Sequence, residues 1–308
     1  MDLLSDITGV MRTGRPSASR LRVGSPWSYR FAPYDGAGFH VVVCGSGWLL
    51  MDQRAPVRLG TGDVVLMPSG RAHVLSDSRD GSGAVPFETA VADPDGNTEF
   101  LCGKYRLERH RTHPLLAMLP DVVHLPARVG DHRDLRSAVD LLGSEATGRR
   151  PGRDAAIAGL LDLLLVYMIR AWFDDHRDGD GRPRLLSDHD ITAALEALHG
   201  APARQWRIED LAAEIGLSRA TLARRFTESV GQPPMAYLTQ WRMTLAARLL
   251  RETELALAAV ARQVGYASPF AFSHAFKREF GMAPARYRED RQKAQETAAP
   301  HPPLNPGS

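Results

Sequence analysis

The residues able to do chemistry fall into two groups: two histidines and two cysteines in the front third of this 308-residue chain, and arginines near its end. His40 and His73 sit in apolar stretches, where an imidazole can bind a metal, move a proton or hydrogen-bond a ligand. A catalytic metal ion usually takes about three protein ligands. The stretch FAPYDGAGFHVVVCG (residues 31–45) offers His40 alone and no glutamate. The expectation is therefore no metal, no cofactor and no catalytic residue. His40 and His73 are either hydrogen-bonded structural groups or the lining of an effector pocket. Cys44 and Cys102 are the chain's two cysteines, each followed by a glycine. Two thiols exclude a disulfide framework and fit a reducing cytoplasm. A buried thiol is ordinarily an inert small apolar group. It becomes a redox sensor when basic neighbours, here Lys104 or Arg106, lower its pKa.

The arginines carry a different chemistry. Residues 201–288 hold 13 Lys and Arg against 7 Asp and Glu, a balance of +6, while the whole chain stands at +2. Positive charge is thus concentrated in one segment, as a phosphate-binding surface requires. That segment contains one pattern written twice. Leu211, Ala212, Ile215 and Gly216 recur as Val260, Ala261, Val264 and Gly265, 49 residues on. Ser218, Phe226, Gly231, Pro234 and Tyr237 recur as Ser268, Phe276, Gly281, Pro284 and Tyr287, 50 residues on. One residue has been added in a turn, and everything beyond it stays in register.

Each copy reads as helix, turn, helix. Apolar residues at i, i+1 and i+4 make a buried stripe on a short helix. Gly216 and Gly265 end it where the backbone needs a positive φ. Ser218 and Ser268 follow as N-caps, and Pro269 sits at a first helical position that needs no N–H. Gly231 and Gly281, each with prolines behind, close the second helices. Helical hairpins packed only on each other, as in a solenoid, are the alternative, but the spacing lacks the extra helix faces.

With these residues in view, the stretches IEDLAAEIGLSRATLARRFTESVGQPPMAYL, WRMTLAARLLRE and LAAVARQVGYASPFAFSHAFKREFGMAPARYR resemble the DNA-binding domain of AraC/XylS-type transcription regulators over roughly residues 185–288. The resemblance implies an all-α domain in which a long helix, about Met235–Arg251, sets two reading helices in successive major grooves. It places Arg219, Ala220, Thr221, Ala223, Arg224 and Arg225 on the first DNA-contacting helix. Ser268, Pro269, Phe270, Ser273, His274, Lys277 and Arg278 lie on the second. Arg224 suits a bidentate contact to a guanine edge; Arg219 and Arg225 suit phosphates. His274 replaces the longer basic side chain common in the family, so the second unit is expected to touch mainly backbone.

Residues 27–110 alternate short apolar runs with Gly, Pro and Asp, the pattern of antiparallel β structure. FHVVVCGSGWLLMD reads as a hairpin turning at Gly45–Ser46–Gly47. The spacing Gly62, Pro68, Gly70, His73 resembles the second motif of cupins, and implies a small β-barrel sensor domain. His40, Val42 and Cys44 share one strand face and Phe39, Val41 and Val43 the other; which points inward stays open. The period then changes. Leu135, Val139 and Leu142 make one helical stripe, and Ile157, Leu160, Leu161, Leu164, Tyr167, Met168 and Trp172 a wider one. Family resemblance makes these helices a candidate homodimer interface. No apolar run of about 18 residues is seen, so no membrane partner is expected.

The resulting fold class is α+β: a cupin-like β-barrel followed by helices, then an all-α domain with two helix-turn-helix motifs. The expected layout is a sensor at 1–130, a helical region at 131–174 and a linker at 175–184. A DNA-binding domain at 185–290 and a disordered tail at 291–308 complete it. The reading is a cytoplasmic regulator that binds double-stranded DNA and RNA polymerase and answers to an unknown small-molecule effector or a redox signal. The alternatives are a metal-dependent cupin enzyme fused to a DNA-binding domain, and a regulator whose barrel serves only to dimerise.

Overall fold

The computed structural model describes residues 16–106, 119–128, 131–148, 150–175 and 188–297, with side chains for all of these except Arg106 and residues 291–297. The chain forms two compact units, one holding most residues up to 177 and the other residues 178–302. Among the described residues the front unit has ten strands: β1 (Ser17–Val23), β2 (Ser28–Phe31), β3 (Gly36–Cys44), β4 (Ser46–Leu50), β5 (Val57–Gly60), β6 (Val64–Met67), β7 (His73–Ser76), β8 (Val85–Pro86), β9 (Thr98–Arg106) and β10 (Val123–Leu125). Helices α1 (Arg133–Thr147) and α2 (Arg153–Asp175) follow.

The strands form two open five-stranded sheets, ordered β1-β9-β3-β6-β10 and β5-β4-β7-β2-β8, rather than a closed barrel. The expected hairpin of β3 and β4 does not exist. β3 pairs with β6 and β9, whereas β4 pairs with β5 and β7 in the other sheet. Gly45 is the corner between them. Its φ is +82°, and a Cβ there would lie 2.7 Å from the Asn97 carbonyl oxygen, so the chain changes sheets where only glycine fits.

The first sheet is covered on both faces, which explains why β6 is apolar without alternation and buried at all four positions. One face looks at the second sheet across a core that includes Trp27, Val42, Val65, Leu75, Phe100 and Cys102. On the other, Tyr105 lies beside Phe39 and donates to the Leu161 carbonyl of α2 at 2.6 Å. Arg20 reaches the Gly143 carbonyl of α1 at 2.9 Å and, with Arg22, holds the buried Glu99. By length and composition α2 would suffice to cross a membrane, contrary to the sequence expectation. It instead buries Leu161, Leu164, Leu165, Met168 and Ile169 as a core helix.

The rear unit holds α3 (His189–Gly200), α4 (Ile208–Ile215), α5 (Arg219–Val230), α6 (Pro234–Glu252), α7 (Leu257–Gln263), α8 (Pro269–Phe280) and α9 (Pro284–Thr297). The last helix runs on to Thr297, beyond the expected start of a tail at 291. Residues 176–184 of the expected linker and 298–308 of the tail lie outside the described residues. The pairs α4–α5 and α7–α8 are the two helix-turn-helix units, joined by the 19-residue α6. At 1.5 Å per residue this connector spans roughly 28 Å. Its first half packs Tyr237 against Phe226 of α5. Its second half puts Met243, Ala246, Ala247 and Leu250 into a core with Val260, Phe272 and Phe276. One helix therefore serves two cores in succession.

Candidate nucleic-acid interface and sensor site

The second helices of the two units, α5 and α8, begin the same way. The Ser218 hydroxyl accepts from the Thr221 amide at 3.1 Å, and the Ser268 hydroxyl accepts from Phe270 and Ala271 at 3.2 and 3.5 Å. These bonds satisfy amides left free in a first helical turn. The apolar positions are fully buried in both: Leu222 and Phe226 in α5, Phe272 and Phe276 in α8. What remains outside differs. On α5, Arg219 pairs with Glu209 at 3.0 Å, and Arg224 pairs with Glu228 at 3.1 Å one turn on. All four side chains are largely exposed, so these pairs are weak. Ala220 is exposed, while Thr221 and Ala223 are half-buried. On α8 the exposed tip is Ser268, Pro269, Phe270 and Ala271, then His274, Lys277 and Arg278, with Ser273 half-buried.

Arg225 has another role than the expected phosphate contact. Its Nε and Nη2 grip Asp188 at 3.1 and 2.6 Å, and its Nη1 meets Asp190 at 2.7 Å. Hydrogen bonds to Asp188 and then Asp190 raise its pKa further. Asp188 is also the N-cap of α3, accepting from the Asp190 and Ile191 amides. Arg225 therefore straps α5 to the start of α3. Sequence gave no sign of it, because the carboxylates stand 37 and 35 residues away.

In the front unit, register brings the expected histidines and one cysteine together. His40 on β3 lies directly opposite Cys102 on β9, and His73 on β7 opposite Phe31 on β2 in the facing sheet. Packed sheets stand about 10 Å apart, and the two imidazoles reach across that gap to touch. His40 Nε2 lies 2.7 Å from His73 Nε2, His40 Nδ1 lies 2.8 Å from Cys102 Sγ, and His73 Nδ1 lies 2.8 Å from the Arg71 carbonyl oxygen. That carbonyl can only accept, which orders the whole row. His73 Nδ1–H donates to Arg71, His40 Nε2–H donates to His73, and the Cys102 thiol donates to His40. Phe31 stacks on His73 and meets His40 edge-on, each at 4.7 Å.

Burial keeps this row uncharged. It lowers His40 well below the ordinary imidazole value, with the His73 charge adding to the effect. It lowers His73 to about 4 against the opposing pull of the Arg71 carbonyl. It raises Cys102 well above the ordinary thiol value. Lys104, one of the basic neighbours expected to lower that thiol, does not offset the burial, and the side chain of Arg106 lies outside the described residues. Tyr34, which sequence reasoning passed over, has a buried hydroxyl with no hydrogen-bond partner among the described residues. Burial raises its pKa, and the charge of a Cys102 thiolate raises it further.

A cupin metal does not fit this set. The two Nε2 atoms face each other, but the sulfur sits at Nδ1, around the ring, so the three groups do not converge on one point. Among the described residues no group of three His, Cys, Asp or Glu is arranged to hold a metal. Nor can the cysteines pair. Cys44 is exposed, and its neighbour on β9 is Glu99, three residues from Cys102. Three residues of strand span about 10 Å, whereas a disulfide needs Cα atoms within about 7 Å.

A family model described as a cupin matches residues 2–174, and one described as a helix-turn-helix domain matches residues 211–290. The chain belongs to the AraC-like transcription regulators, with a cupin front domain and a DNA-binding rear domain. A putative AraC-like transcription regulator of Streptomyces lividans is 34% identical over 299 residues, covering 94% of this chain and 98% of its own. The RCS-specific HTH-type transcriptional activator RclR of Escherichia coli is 30% identical, covering 87% and 90%. Among solved structures, the DNA-binding domain of AdpA in complex with a target DNA is 29% identical, covers 36% of this chain and all of its own, and has a TM-score of 0.35.

Proposed function

We propose that this regulator reads DNA with α5 and α8 and answers to oxidation at the Cys102–His40–His73 row. The observation that carries the sensing half is that row itself: three neutral groups, hydrogen-bonded in one direction, joining two sheets. Burial holds the resting thiol protonated, but the row gives its proton somewhere to go. The Cys102 proton passes to His40 Nδ1 as the His40 Nε2 proton passes to His73, leaving a thiolate and a His73 imidazolium bound to the Arg71 carbonyl. The thiolate attacks one oxygen of a hydroperoxide such as hydrogen peroxide. An S–O bond forms, the O–O bond breaks, and the departing hydroxide takes the proton from His73 to become water. Cysteine is oxidised by two electrons to sulfenic acid and the peroxide is reduced. The added oxygen displaces the 2.8 Å bond between Cys102 and His40, and through His40 it disturbs the His40–His73 contact that joins the two sheets. A relative named as an RCS-specific activator is consistent with this reading.

The test is oxidant-responsive transcription from a bound promoter. Cys102→Ser should abolish the response and Cys44→Ser should keep it; a Cys102→Ser variant that still responds overturns the sensing proposal. A small-molecule effector is the second signal class, and a compound that raises the unfolding temperature of the protein would favour it. The same reading makes the chain a cytoplasmic, non-enzymatic regulator with RNA polymerase as partner. Leu141 on α1 and Leu163 on α2 are exposed, which supports a homodimer through this helical pair.

A further inference from the structure

We infer that Phe270 is a specificity-determining residue that selects thymine through its C5-methyl group. The inference rests on the proposal that α8 enters a major groove.

Phe270 is 82% exposed. The other large apolar side chains exposed among the described residues are Val85, Val91, Leu141 and Leu163, all in the front unit. Phe270 sits at the second position of α8, and its amide is held by the Ser268 cap, which fixes the backbone from which the ring projects. Around it the tip is Pro269 and Ala271, both exposed and uncharged. The polar side chain of the tip, Ser268, is engaged as the helix cap, so what the first turn offers a base edge is mainly apolar. Lys277 and Arg278 stand two turns further along the same helix, where they can hold a phosphate while the tip meets the bases.

The internal duplication supports the assignment. Fifty residues earlier the equivalent position is Ala220, also exposed and apolar. Both reading helices thus present an apolar group at the same place, and the second presents a much longer one. In the major groove every base edge is a pattern of donors and acceptors except at thymine, which adds a methyl. Phenyl against a polar edge would strip that edge of water without replacing its hydrogen bonds. Against thymine it buries a methyl instead. Shielding one methyl-sized group is worth roughly a four-fold change in affinity.

The experiment uses the full-length protein and a duplex it selects from random DNA. Each thymine is replaced in turn by uracil, which removes only the methyl. For the natural protein at least one replacement should weaken binding about four-fold. Phe270→Ala should bind the thymine and uracil forms of that duplex alike, at the affinity the natural protein shows for uracil, and Phe270→Leu should retain part of the preference. Because the ring is exposed, both variants should unfold at the natural temperature. If the uracil penalties are the same in Phe270→Ala as in the natural protein, or if no thymine is sensitive, the assignment is overturned while DNA reading stands. If the natural protein selects no sequence at all, DNA reading itself fails and this inference goes with it.

Discussion

The two helix-turn-helix units share a skeleton and differ in their skin. Each has a glycine at positive φ closing its first helix, a serine cap on its second, and a phenylalanine packed on a tyrosine beneath: Phe226 with Tyr237, and Phe276 with Tyr287. The first presents Arg219 and Arg224 outward, whereas the second presents Pro269, Phe270 and His274. The duplication keeps the closing glycines, the serine caps and the buried aromatic pairs, while the outward residues differ. Burial explains the split. A change beneath leaves a cavity or an unpaired polar group, whereas an outward side chain that makes no cap can change at little cost to the fold.

The strongest way to break this comparison is to cut the shared skeleton. Phe226→Ala and Phe276→Ala should each lower stability by about 3–5 kcal/mol, measured by denaturant unfolding of the full chain. A cost below about 1 kcal/mol for either would mean that the two cores are not equivalent. Next come the outer residues. Arg224→Ala should weaken binding to a selected site by about 1–3 kcal/mol and relax one base preference, and His274→Ala should do less. Equal losses in a binding titration would erase the distinction between the skins.

A buried histidine beneath the first unit gives a pH test. His199 is stacked on Trp241 and shares a 2.6 Å hydrogen bond with the Tyr237 hydroxyl. Burial pushes the His199 pKa down to about 3 from an ordinary 6.5. Above pH 6.5 the imidazole is neutral in both the folded and the unfolded chain, and its full contribution is present. As pH falls from 6.5 toward 3 the unfolded chain takes up a proton that the folded chain refuses. Stability then declines by up to about 1.4 kcal/mol per pH unit, or about 2 kcal/mol by pH 5. His199→Gln should flatten this part of the slope in paired unfolding curves; an unchanged slope would refute it. The smallest effect expected is that of the caps. Ser218→Ala and Ser268→Ala should each cost about 1 kcal/mol, again in both units.

Local grammar made the rear unit readable. Caps, closing glycines and apolar periods are all settled within a few residues, so α4, α5, α7 and α8 were expected where they stand. The front unit was less legible because strand partners are distant. Gly45 looked like a hairpin turn, and only the pairing of β3 with β9 reveals a corner between sheets. His40 and Cys102 are 62 residues apart, and the register that puts them opposite each other leaves no local mark. The same holds for Arg225, whose basic character suggested DNA although its carboxylate partners lay elsewhere.

The extra residue between the copies can now be placed. Leu217 donates to the Ala212 carbonyl and Tyr266 to the Ala261 carbonyl, so these bonds still match at 49. The caps Ser218 and Ser268 match at 50, which leaves Ala267 as the addition. Inside a helix an inserted residue would swing every later side chain by about 100° around the axis and turn Phe276 out into water. Lodged between one helix's last bond and the next helix's cap, it is absorbed by loop, and twenty further residues keep their bearing.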